Sequence, residues 1–182
     1  MKTFSKIVFS LLLLVIYSCG SGPEVPAEHT YQVNLENGES FSGTIPNDAL
    51  IAMYTDIPGE PSYRMITFNI VDGDFEMLVQ AMLRGTTVLP IRDPESDEAD
   101  GSFVVITPPG ADVFTRYGSV SGTMSVSGQR YQETPGSGSA GASTGLAMGD
   151  FTFNCVFKRA EDFNEQGGGI PGNGKVSIKP YF

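Results

Sequence analysis

The sequence predicts an all-β body, an antiparallel β-sandwich with a closed β-barrel as the alternative, on three observations. Twenty-two glycines and twelve prolines punctuate the 182 residues, and Trp is absent; this balance favours strands joined by turns. From Tyr31 onward, short runs alternate apolar and polar residues, with turn residues between them, which is the period of a half-buried strand. No segment carries a 3.6-residue apolar stripe for more than about three turns. The uneven spacing of about eight to ten such runs favours strands that change sheets, hence the sandwich.

The elements follow in order. In "TYQVNLENGESFSGTI", Asn37-Gly38 supplies the positive φ of a tight turn between strands at 31–36 and 39–45. "ALIAMYTDI" reads as a third strand, or a short helix, stopped by Pro58-Gly59. "YRMITFNIVDGDFEMLVQAMLRG" reads as a second hairpin with Asp72-Gly73 at its tip and Ile66, Phe68 and Ile70 on one face of its first arm. Its second arm, 75–84, also fits a helical stripe through Phe75, Leu78, Val79 and Met82. "SFVVITP" is the next strand, closed by Pro108-Pro109-Gly110. "YGSVSGTMSVSGQRY" alternates with Val120, Met124 and Val126 on a dry side and Ser119, Ser121, Thr123, Ser125 and Ser127 on a wet one. "FTFNCVFK" and the terminal "GKVSIKPYF" complete the set, with Cys155 in step with Phe151, Phe153 and Phe157 as a small buried hydrophobe.

The N-terminus has a different composition. Lys2 and Lys6 precede an apolar stretch, Ile7 to Tyr17, which as a helix spans only about 16 Å. A hydrocarbon core is about 30 Å thick, so the stretch reads as a signal-peptide core rather than a membrane span. Cleavage after Gly20, with Ser18 and Gly20 at the small-residue positions, would release a soluble exported chain. The pattern "IYSC" (Ile16, Tyr17, Ser18, Cys19) instead resembles a bacterial lipobox, with Tyr17 where a smaller residue is usual. The resemblance covers residues 1–19 and implies diacylglyceryl transfer to the Cys19 thiol, cleavage between Ser18 and Cys19, and a further acyl chain such as palmitate on the new amino terminus. Two or more chains, at about 0.8 kcal/mol per buried CH₂, give a durable membrane anchor. Residues 1–18 are then a lipoprotein signal peptide, 19–30 the lipidated Cys and a flexible tether ending near the lone His29, and 31–182 one domain.

"VSGTMSVSG" followed by "GDFTFNCVFK" is similar to paired strands in small uncharacterised β-sandwich lipoproteins of Bacteroidota, over residues 118–158. That resemblance implies a sandwich and a cell-envelope setting, with the outer membrane as the expected location and the periplasmic and outer faces both open. It implies no activity and no site residue.

Charge and motif bound the chemistry. Without residues 1–18 the chain keeps nine basic against 21 acidic residues, a net charge of −12, and no Lys/Arg cluster interrupts it, which argues against nucleic acid as a partner. "RDPESDEADG" offers Asp93, Glu95, Asp97 and Asp100 as weak Ca²⁺ candidates. Counted from Asp93, the positions where an EF-hand needs Gly and Glu hold Glu98 and Val104, so a solvated acidic loop is the plainer reading. The Gly-rich stretches 134–149 and "NEQGGGIPGNGK" lack the Lys-Ser/Thr pair and following helix of a phosphate loop; the first reads as a mobile loop. A Ser/His/Asp triad would have to recruit His29, and no dinucleotide fingerprint occurs. No catalytic residue and no cofactor is expected. A paired-carboxylate glycosidase needs no sequence signature and stays open. The expectation is a lipid-anchored envelope protein that binds or scaffolds, with a protein or a glycan as partner. The alternative is a carbohydrate-binding or glycan-processing lipoprotein, resting on Tyr31, Tyr54, Tyr63, Tyr117 or Tyr131. An exposed apolar patch would favour a protein partner, and a row of coplanar tyrosines over a cleft a sugar.

Overall fold

The computed structural model describes residues 28–46, 49–56, 63–93, 101–134, 143–163 and 167–180. It is all-β and antiparallel. Among the described residues ten strands follow one another: β1 (His29–Leu35), β2 (Ser40–Ile45), β3 (Met53–Asp56), β4 (Tyr63–Asp72), β5 (Phe75–Arg84), β6 (Val88–Arg92), β7 (Phe103–Thr107), β8 (Tyr117–Glu133), β9 (Thr144–Arg159) and β10 (Ile170–Ile178), with a 3₁₀ turn at Ala160–Asp162. The arm 75–84 is a strand, because pairing with β4 along its full length decides between two periods that the sequence leaves open. Both predicted tight turns form, with Gly38 at φ +94° and Gly73 at φ +60°, backbone that side chains with a Cβ resist.

The strands make one ten-stranded sheet in the order β2-β1-β10-β9-β3-β4-β5-β7-β8-β6, and β8 also pairs with β9. That extra pairing closes β9-β3-β4-β5-β7-β8 into a ring of ladders, the closure expected of the alternative architecture, and its two sides face each other as layers, β2-β1-β10-β9-β8-β6 and β3-β4-β5-β7. They are joined by hydrogen bonding where β3 meets the start of β9 and where β7 meets the start of β8. Rings meet across the gap: Phe68 of β4 stands edge-on to Phe151 of β9 at 4.9 Å, and Tyr31 of β1 stacks on Phe75 of β5 at 5.0 Å. Phe151, Phe157, Ile66, Ile70, Met77 and Val79 are wholly buried between the layers. At about 1.5–3 kcal/mol per large apolar side chain, this burial is the main stabilising term.

Strand β8 corrects the predicted alternation. Ser119 is fully buried and Val120 only partly. Between Ser119 and Ser121 two residues of β8 advance against one of β9, and a second shift falls between Ser127 and Arg130. Each extra residue exchanges the two faces of the strand. Ser119 therefore points inward with Tyr117, while Ser121, Thr123, Ser125 and Ser127 point outward as expected. The buried hydroxyl is satisfied, since Ser119 Oγ accepts from the Val104 N–H at 2.9 Å, and Ser102 Oγ likewise accepts from the Met82 N–H at 2.9 Å.

Four further differences concern boundaries. β9 begins at Thr144, inside the stretch 134–149 expected to be a loop, because its first residues pair with β3 on one side and β8 on the other. β1 begins two residues inside the expected tether: His29 is fully buried, paired opposite Ile45, and its Nδ1 accepts from the Lys179 N–H at 3.0 Å. β6, absent from the predicted set, is an edge strand whose Pro90 faces outward, the place where a sheet tolerates proline. The stretch "GGGIPGNGK" enters β10 at Ile170 rather than forming a loop. Gly169, Gly172 and Gly174 are needed for close packing: a Cβ on Gly174 would strike the Phe153 ring and lie 2.8 Å from the Gln32 carbonyl oxygen.

Candidate functional site

The two layers expose contrasting outer faces. Opposed residues on neighbouring strands share a face, so the register lays Ser42, Gln32, Lys175, Thr152, Ser125 and Val88 in one row across six strands. A second row runs Ser40, Asn34, Asn173, Asn154, Thr123 and Pro90. Ser40 Oγ donates to Asn34 Oδ1 at 2.9 Å and Asn34 Nδ2 to Asn173 Oδ1 at 3.3 Å, a ladder of side chains within that row. The face is an array of hydroxyls and amides. The opposite layer has Met53, Thr67, Gln80 and Phe103 in one row, and Asn69, Leu78 and Val105 in the next. Met53 is 53% exposed, and Leu78, Phe103 and Val105 are partly so.

The polar face is concave over β2, β1 and β10. The trough there, of about 620 Å³, is lined by Thr30, Gln32, Ser42, Thr44, Ser177, Lys175 and Lys179, with Tyr31 and Gly43 beneath. A smaller hollow of about 240 Å³ adjoins it, shares Ser177 and Lys179, and adds Arg130 and Asp150. Asp150 accepts the Ser177 hydroxyl and lies 3.9 Å from the Lys175 ammonium.

A second feature is the turn between β7 and β8. Asp112 Oδ1 accepts from the Phe114 N–H at 2.9 Å and from the Thr115 N–H and hydroxyl at 3.0 Å each, while the Asp112 N–H donates to Thr115 Oγ1 at 3.0 Å. These bonds, led by that of the Thr115 hydroxyl, hold the Asp112 carboxyl below its usual range. The Glu161 N–H donates to the Phe114 carbonyl at 3.0 Å, tying the turn to the body. This fixed turn displays Val113 and Phe114 at 61% and 65% exposure.

The predicted site residues are placed as follows. Cys19 and Ser18 lie outside the described residues, as do Glu95, Asp97 and Asp100; Asp93 sits at the end of β6, half-buried. Among the described residues no three His, Cys, Asp or Glu side chains gather as a metal site, and no helix is long and apolar enough to cross a membrane. His29, expected to be solvated, is instead a buried clasp between the first and last strands. The tyrosines form no platform. Tyr31, Tyr54 and Tyr117 are buried, the first donating to Asp72 at 2.8 Å and the last to Glu39 at 2.8 Å. Burial first, then that bond to Asp72, raises the Tyr31 phenol above its ordinary range. Tyr54 and Tyr131 stand edge-on at 5.2 Å, and Arg64 lies over both rings at 4.4 and 4.0 Å while forking onto the Asp56 carboxylate, so its donors and ring contacts are used internally. Cys155 is buried, and burial pushes its thiol from 9.0 up to about 12, which suppresses the reactive thiolate.

Compared with known protein families, curated proteins and solved structures, the chain matches none.

Proposed function

We propose that the protein is a lipid-anchored component of the bacterial cell envelope, expected at the outer membrane, that acts as a non-catalytic binding or scaffolding module for another envelope protein. The anchor rests on the Ile16–Cys19 pattern. The binding role rests on one observation: Val113 and Phe114, adjacent and exposed, stand on a turn already fixed by Asp112 and Thr115. An apolar side chain held in place before contact loses little freedom on binding, and aromatic anchors of this kind carry much of an interface's energy. Met53 and Ile51, at 53% and 57% exposure, add apolar surface elsewhere on the molecule. The carbohydrate alternative has less support from aromatic rings, since three of its five tyrosines lie in the core.

Two experiments test the two halves. Cys19→Ala is expected to leave the precursor uncut and to abolish incorporation of labelled palmitate; cleavage and labelling that persist in the variant end the anchor proposal. In a pull-down from detergent-solubilised envelope, the wild-type chain is expected to retain a stoichiometric protein that Phe114→Ser loses at unchanged Tm. Equal retention by both removes the turn from the interface.

A further inference from the structure

We propose that the trough over β2, β1 and β10 is a binding site for an acidic glycan, a hydroxyl-rich chain bearing carboxylates. The inference concerns a different surface from the β7–β8 turn and stands apart from the protein-docking reading.

The first ground is charge. The whole chain has 21 acidic against 11 basic residues, yet the nine residues lining the trough include Lys175 and Lys179 and no carboxylate. Arg130 lines the adjoining hollow, which shares Lys179 with the trough. Two acids stand beside the trough and both are engaged: Asp150, which lines the hollow, accepts the Ser177 hydroxyl on Oδ1, and Asp72, against Gly43, accepts the Tyr31 hydroxyl. At 3.9 Å the approach of Asp150 to Lys175 is long, and the lysine side chain remains 57% exposed, leaving donors for a ligand carboxylate. Repulsion from the rest of the molecule is screened over about 8 Å at physiological salt, whereas direct ion contacts survive.

The second ground is the hydrogen-bonding surface between those cations. Thr44, Thr30 and Ser177 are opposed in one row, and Ser42, Gln32 and Lys175 in the next. Members of a row lie about 4.8 Å apart and the two rows about 6.8 Å apart, spacings on the scale of one sugar ring, whose hydroxyls donate and accept alike. The trough is open along its length, so its space of about 620 Å³ suits an extended chain laid across the strands rather than an enclosed ligand. Three cations are too few to bind a phosphate polymer through counterion release against the chain's net charge.

The test is calorimetric titration of the full-length protein in detergent with oligogalacturonate, with the same chain fully methyl-esterified, and with duplex DNA. Binding of the acid form is expected, weakening as salt is raised, with the ester at least roughly tenfold weaker. Lys175→Gln/Lys179→Gln is expected to lose affinity for the acid form by a similar factor at unchanged Tm, since both side chains are exposed. Absence of binding, equal affinity for acid and ester, tighter binding of DNA, or an unaffected double variant each overturns the proposal. Retention of an envelope protein through Phe114 is untouched by any of these results.

Discussion

The inner and outer faces of β9 are built from the same consecutive residues and obey different rules. Inward, Phe151, Phe153, Cys155 and Phe157 are buried almost completely; outward, Thr152 and Asn154 are exposed. The inner set defines which strands can pack: Phe151 meets Phe68 across the gap, while Phe153 and Phe157 stand edge-on to one another along β9. The outer set is short and polar, and nothing in the core constrains it. A residue's contribution to folding and its availability for recognition are therefore divided along β9 at a spacing of one residue.

That division is broken most strongly from the inside. Phe151→Ala, which empties a fully buried site against Phe68, is expected to cost about 3–5 kcal/mol, read as a lowered urea midpoint at unchanged slope. Ser119→Ala strands the Val104 N–H in the core and is expected to cost about 1–3 kcal/mol. A substitution of Ser119 no more costly than one at Ser125 would mean that the bulge does not reverse the faces. Cys155 sharpens the comparison through pH. Its native thiol is raised from 9.0 to about 12, so the unfolded chain loses its proton first, and stability is expected to fall as pH rises from about 9 toward 12. Cys155→Ala should lose less over that interval, and the native thiol should react with a disulfide reagent only after denaturant is added. Smallest of all, Thr152→Val on the outer face is expected to change stability by less than about 0.5 kcal/mol; a core-sized effect there would erase the distinction.

Much of the architecture was legible because alternation and turn chemistry are local. Asn37-Gly38 and Asp72-Gly73 give both hairpins, and the Phe/Cys alternation of 151–157 gives the buried face of β9. What escaped depended on partners far along the chain. The bulges of β8 are visible only when its residues are counted against β9. Pro90 interrupts the apolar run of β6, and only the open edge beside β8 explains why a strand survives there. His29 has the neighbours of a tether residue but meets Lys179 across 150 positions of sequence. The candidate surfaces were legible in part: the Ser/Thr side of 121–127 was apparent, whereas its continuation across six strands follows from register, and the presence of both Lys175 and Lys179 along one trough from the fold. Nothing about Val113 and Phe114 is unusual in sequence; only the capped turn turns them outward.

The clasp between His29 and Lys179 has a practical consequence for fluorescence and protease work. The start of β1 and the end of β10 are adjacent in space, so a reporter attached behind Lys179 shares one pole of the body with His29. The Asn37-Gly38 turn lies at the other end of β1, roughly 20 Å away. An epitope inserted there would sample the opposite pole, so the pair would report separately on the two ends of the body.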